Sequence, residues 1–183
     1  MSELMEVIMK RRSIRRFISR PVERELIEQC LEAARLAPSA ENSQPWRFVV
    51  IDEPKLKRKV ADAAFSGLYT VCRWAKEAPV LVVAIAKLDI IANRIGSLIQ
   101  GTQYYLLDMG IAGEHFVLKA AELGLGTCWI GWFNSRRLRR ILKLPRKFRI
   151  AYLIAVGYPA ESPSARPRKT LDEIRFYNSL PQS

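Results

Sequence analysis

The stretch "VLVVAIA", Val80 to Ala86, constrains the fold more than any other part of the chain. A strand on a half-exposed sheet alternates apolar and polar residues. A run that is apolar throughout, at the length of one strand, needs cover on both faces. Even extended to "APVLVVAIA", Ala78 to Ala86, it is far too short to span a bilayer as a helix. The remaining elements can supply the cover. "RFVVI" (Arg47–Ile51), "TCWIGWF" (Thr127–Phe133) and "RIAYLIAVGYP" (Arg149–Pro159) read as further strands. Helices are expected at Met5–Lys10, from Pro21 to just before Pro38, from Pro54 to about Phe65, from about Asn93 to Leu123 and at Ser135–Leu142. In the second of these, Leu26, Ile27, Cys30, Leu31 and Ala34 form the apolar stripe. The fourth is expected to break or cap near Asp108–Gly110 and to end at Gly124 or Gly126. Strands interspersed with helices predict a sheet flanked by helices. The 183 residues are read as one domain, 1–183.

Charge comes next. Lys plus Arg minus Asp plus Glu is 30 − 18 = +12, which favours anionic ligands or partners without choosing among them. Five cations fall within "KRRSIRRF", Lys10 to Phe17. Arg11, Arg12 and Arg15 flank the small hydroxyl of Ser13, and arginine forks converging with a short hydroxyl suit a phosphate. The plainer alternative is a solvated helix end whose cations complement the helix dipole. A second basic cluster, "ARPRK" (Ala165–Lys169), lies near the C-terminus and reads alone as a solvated tail. "APSAENSQPW", Ala37 to Trp46, is either a donor-rich loop for a flat polar ring or a plain helix-to-strand turn. "GLGTCWIGWF", Gly124 to Phe133, could bring backbone close to a ligand, with Trp129 and Trp132 as an aromatic wall; it could equally be a helix cap followed by a core strand.

Several chemistries find little support. Three cysteines (Cys30, Cys72, Cys128) and a single histidine, His115, include no CxxC pair, so no metal site is expected. Cys128 reads as a packed thiol, and no nucleophile is expected of the protein itself. The odd cysteine count without a signal peptide points to a reducing cytoplasm. Neither G-x-G-x-x-G nor G-x-x-x-x-G-K-[ST] occurs. "RRLRRILKLPRK" (Arg136–Lys147) is the best support for a nucleic-acid partner, but Leu138, Ile141, Leu142 and Leu144 read as one buried helix face with the cations on its solvated side, and neither nucleic acid nor membrane is expected as a partner.

Taken in order, four pieces resemble the FMN-dependent nitroreductase family: "RRSIRRF", "PSAENSQPW", "LKAAELGLGTCWIG", and a last strand ending in "GYP" followed by a basic pair. The resemblance spans nearly the whole chain. It implies an α+β, three-layer α/β/α fold with a central mixed, largely antiparallel sheet, assembled as an intertwined homodimer with one FMN per site at the interface. By the same resemblance, Arg11, Arg12 and Ser13 meet the FMN phosphate and ribityl chain, and Arg15 the ribityl or pyrimidine side. Arg166 and Arg168 close over the phosphate. Pro38, Ser39 and Asn42 belong to the loop that meets the isoalloxazine, often from the other subunit. Trp129, Ile130 and Gly131 lie along the flavin, backbone N–H groups toward N5. The implied activity is ping-pong transfer from NADH or NADPH to nitroaromatic, quinone or related acceptors, the cofactor carrying the redox chemistry. The same fold also serves dehalogenation and flavin fragmentation. One departure stands out: "SGLYTVCRWAK", Ser66 to Lys76, lacks the asparagine this family often places against the flavin pyrimidine, and Thr70 and Arg73 are poor substitutes.

Overall fold

The computed structural model describes residues 2–88 and 102–180. Its centre is a four-stranded sheet in the order β1-β2-β4-β3, formed by β1 (Trp46–Ile51), β2 (Val80–Lys87), β3 (Gly126–Ile130) and β4 (Phe148–Gly157). All three pairings between these strands are antiparallel. A parallel bridge between Ser13 and Thr127 adds the N-terminal segment beside β3 and makes the sheet mixed.

β2 lies between β1 and β4, and its side chains alternate between two cores. Val80, Val82, Ala84 and Ala86 pack with Cys30 and Ala34 of α2 (Arg24–Arg35) and with Met109, Phe116 and Val117 of α4 (Tyr104–Glu122). Leu81, Val83 and Ile85 face the other way, onto Val60 and Ala64 of α3 (Pro54–Ala64) and Leu138 of α5 (Ser135–Ile141). The apolar run is therefore explained by a strand buried on both sides. Each fully buried Val, Leu or Ile contributes about 1.5–3 kcal/mol. Register is offset once, where β4 carries an extra residue opposite Ala84 and Ile85, a β-bulge.

Most helices keep the bounds that their apolar stripes predict, and the exceptions have local causes. α2 starts at Arg24, not Pro21, because Val22 is drawn into the core and the preceding chain stays extended. α4 runs through Asp108–Gly110 without a break; Asp108 faces a neighbouring loop instead of ending the helix. Its end is a Schellman cap: Gly124, at φ 76°, donates to the Ala121 carbonyl and Leu125 to that of Ala120. The helix expected from Asn93 falls partly on residues 89–101, outside the described residues. Three short elements had no sequence-based expectation: 3₁₀ segments at Ala40–Asn42 and Gly67–Glu77, and the four-residue helix α6 (Leu171–Ile174) with its Thr170–Glu173 capping box. The N-terminal helix α1 spans Glu3–Lys10. Among the described residues, no helix is long and apolar enough to cross a membrane.

Sheet and α4 approach closely at Gly113. A Cβ there would lie 2.2 Å from Trp129 Cη2 and 2.4 Å from the Tyr152 hydroxyl. The two rings are 4.4 Å apart between centroids, and Tyr152 donates to the Met109 carbonyl at 2.6 Å. Gly113→Ala should therefore destabilise the protein by about 1–3 kcal/mol through overpacking. Thermal unfolding should show a midpoint lowered by roughly 3–10 °C; an unchanged midpoint would mean that the rings give way freely.

Candidate active site

The site is built on the edge of β3. Ile14 donates its backbone N–H to Thr127 at 2.9 Å, and its side chain fills the space beside Gly126. Downstream, Ile18 N–H bonds the Tyr158 carbonyl and Ala160 N–H bonds the Arg16 carbonyl, each at 2.9 Å. The N-terminal segment thus lies between β3 and the chain leaving β4. Glu161 closes this arrangement: its Oε1 accepts from the backbone N–H groups of Arg15 (2.6 Å) and Arg16 (3.1 Å), and its Oε2 from Arg16 Nε (3.2 Å). These hydrogen bonds, the Arg15 N–H first, hold the Glu161 carboxyl below its ordinary value.

The consequence is a meeting of the two basic clusters. Arg11, Arg12, Ser13 and Arg15 line one wall of a cavity of about 370 Å³, and Pro163, Arg166 and Arg168 line the other. Ile8 and Met9 of α1 supply an apolar end. Among the described residues, Arg12, Arg15, Arg166 and Arg168 have no carboxylate within ion-pair distance, and Arg11 only reaches Glu114 at 3.9 Å. Some arginines elsewhere are paired closely, as in Arg24–Asp52 (2.6 Å) and Arg20–Glu23 (2.7 Å), so what sets the pocket apart is the convergence of its arginines. Arg15 also lies 5.7 Å from the centre of the Trp74 ring, in the Gly67–Glu77 segment. Arginines brought together without counter-charges make a pocket suited to a compact anion.

The other expected residues lie outside this pocket. Trp129 does not form an aromatic wall; its ring is packed against Tyr152 and α4, where Gly113 leaves room for it. Ile130 is buried in the opposite core. What β3 offers is backbone: Thr127 turns its carbonyl to the free edge, and strand alternation turns the N–H and carbonyl of Trp129 the same way. Gly131 follows with open space where a side chain would be. The exposed tryptophan is Trp132, which donates to the Leu68 carbonyl at 3.1 Å.

Pro38, Ser39 and Asn42 sit in the loop after α2, which docks on α4. Three residues there have left-handed backbone: Glu41 (φ 52°), Asn42 (φ 53°) and Gln44 (φ 44°). For residues other than glycine this costs about 1 kcal/mol or more each. Thr70 and Arg73 line a separate shallow depression with Trp74. Neither cysteine nor histidine chemistry is in evidence. Burial raises all three thiols, Cys30 to about 12, so none is a ready thiolate at neutral pH. His115 Nδ1 contacts the Ala33 carbonyl at 3.2 Å, linking α4 to α2. Sequence reading missed Glu161, because a carboxylate beside a basic tail gives no local sign that it bonds to backbone 146 residues away.

This pocket lies on the helix-covered, largely antiparallel sheet of an α+β protein, and sequence comparison supplies the class. Residues 8–158 match the Nitroreductase family. A Thermus thermophilus protein named NADH dehydrogenase is 34% identical, with 91% of each chain covered. A crystal structure of a nitroreductase family protein from Clostridium difficile superimposes with a TM-score of 0.82 at 30% identity, covering 98% of this chain and 100% of that one. Two further relatives are an FMN reductase [NAD(P)H] from Bacillus subtilis, 29% identical over 92% of this chain and 70% of its own, and the rat iodotyrosine deiodinase 1, 30% identical over 94% and 68%. The chain belongs to the nitroreductase family of oxidoreductases.

The role of Glu161 can be tested on stability alone. Because its carboxyl is held low in the folded state, its contribution is present above the ordinary carboxylate range and disappears as pH falls through the folded value. Glu161→Gln should lower the unfolding midpoint at neutral pH by the equivalent of about 1–2 kcal/mol. The difference from wild type should shrink below about pH 4. A difference that persists undiminished at low pH would assign the effect to packing instead.

Proposed function

We propose that this protein is an FMN-dependent oxidoreductase that takes reducing equivalents from NADH or NADPH and passes them, in a ping-pong cycle, to nitroaromatic, quinone or related small acceptors. The observation that carries the reading is the pocket where Arg11, Arg12, Arg15, Arg166 and Arg168 converge with Ser13. A phosphomonoester brings nearly two negative charges and several strong acceptors, which matches converging guanidinium groups of which, among the described residues, only Arg11 reaches a carboxylate, at 3.9 Å. The resemblance to an FMN reductase adds the flavin to which such a phosphate would belong. When bound, the flavin would supply hydride chemistry that no side chain here provides.

In this reading Arg11, Arg12, Ser13, Arg166 and Arg168 hold the phosphate end. Arg15, steadied by Trp74 and by Glu161 on its backbone, places a cation near the electron-rich edge of the ring. The β3 edge at Trp129–Gly131 offers backbone donors along the ring. Pro38, Ser39 and Asn42 approach from a second copy, since this loop does not line the pocket of its own chain. The homodimer also accounts for apolar surface that one chain leaves uncovered: Leu4 and Met9 on α1, Leu106 and Leu107 on α4, and Leu171, Ile174, Tyr177 and Leu180 in the tail. Residues 1–183 act as one domain, and three free thiols fit a reducing, cytoplasmic setting.

A second reading, reductive dehalogenation of an aromatic substrate, rests on the likeness to iodotyrosine deiodinase. Iodide release from iodinated phenols, measured beside NAD(P)H-dependent loss of a nitroaromatic or quinone, separates the two.

The phosphate assignment is tested by comparing FMN with riboflavin. Arg11→Ala and Arg168→Ala should each weaken FMN by roughly 10- to 100-fold, as expected for one charge-assisted contact. Riboflavin should change by less than about threefold. Equal losses for both ligands would remove these arginines from the phosphate.

A further inference from the structure

Asp108 is 3% exposed in the second turn of α4, and it makes no ion pair among the described residues. A buried carboxylate without a cation needs strong hydrogen bonds to hold it there. Its partners come from one place. Oδ1 accepts from the Ala40 backbone N–H at 3.0 Å, and Oδ2 from the Ser43 hydroxyl at 3.4 Å. Both belong to the loop that carries left-handed backbone at Glu41, Asn42 and Gln44. Left to itself, a loop of these residues would relax toward ordinary angles.

Within the loop a second set of bonds fixes Asn42. Gln44 N–H donates to Ser39 Oγ at 3.0 Å, and Gln44 Nε2 donates to Asn42 Oδ1 at 2.9 Å. The amide oxygen of Asn42 is thereby engaged inside the loop. What the exposed side chain still offers to a ligand is its two N–H bonds.

We infer that Asp108 is a positioning residue: by tethering Ala40 and Ser43, it braces the Ser39–Gln44 loop so that Asn42 presents its amide N–H groups to a carbonyl oxygen or ring nitrogen of a flat heteroaromatic ligand. This rests on the functional reading above, in which the loop meets the flavin ring of a second copy. It adds that the contact is a donation from Asn42, and that its geometry is set from α4. A residue serving packing alone would not need both side-chain oxygens committed to one strained loop.

The test uses Asp108→Ala and Asp108→Asn in the full chain, with FMN and riboflavin affinities from fluorescence titration, the visible spectrum of bound flavin, and limited proteolysis of the loop. Asp108→Ala should open the loop to protease, weaken FMN and riboflavin alike by roughly 10-fold, and shift the flavin absorbance band. Asp108→Asn keeps an oxygen for Ala40 and an amide for Ser43, and should recover affinity to within about threefold. Should Asp108→Ala fail to fold, Ser43→Ala removes one tether and should act in the same direction, more weakly. If the loop opens while both affinities and the spectrum stay unchanged, the inference is overturned and the functional reading survives. Wild-type protein that binds neither flavin overturns both.

Discussion

The site depends on one strip of backbone. Residues 13–18 are held on one side by β3 and on the other by the chain leaving β4, through Ile14 to Thr127, Ile18 to Tyr158 and Ala160 to Arg16. Glu161 reinforces the second side, because its carboxylate holds the N–H groups of Arg15 and Arg16. The strip carries the first basic cluster, and the chain running on past Glu161 carries the second. Two groups of cations that would repel one another are thus brought to a single cavity by backbone hydrogen bonds and one buried apolar anchor, Ile14. Cations gathered in this way have an unmet demand for negative charge, which a ligand phosphate can satisfy.

The sheet makes this possible by being closely packed where the strip attaches. β3 is an edge strand, yet β4 beside it is buried through Val156, and α4 covers the sheet closely enough that only glycine fits at position 113. The Schellman cap at Gly124 then turns the chain from α4 directly into β3. Helix end and edge strand follow one another within a few residues, and the strip carrying the first basic cluster attaches to that edge at Ser13 and Thr127. That is why "LGLGTCWIG" reads as a functional segment although most of its side chains are structural.

Much of the fold was legible in the sequence, for identifiable reasons. Continuous apolarity at Val80–Ala86 requires two covered faces, and the stripe from Leu26 to Ala34 requires a helix; each depends on spacing alone. Pro21 misled because proline suits the first turn of a helix, but burial of Val22 prevailed. The expected break at Asp108–Gly110 misled for a similar reason: Asp108 there serves contact with a loop, not termination. In the site, the basic clusters announced themselves by composition. Trp129 was visible as an aromatic, but its direction depended on a glycine sixteen residues earlier on another element, and Glu161 and Asp108 act across still longer separations that a linear reading does not reveal. The missing asparagine in Ser66–Lys76 has a partial structural answer: Trp74 from that segment lies against Arg15, so the segment reaches the site through a cation–π contact instead of an amide.

The most direct test of the central claim is a visible-absorbance titration of the purified protein with FMN, followed by anaerobic NADH or NADPH. The account predicts one FMN per chain, with flavin bands that bleach on adding the nicotinamide and return when a quinone or nitroaromatic is supplied. Protein that binds no FMN even at excess would contradict it, and the converging arginines would then have to serve a different anion.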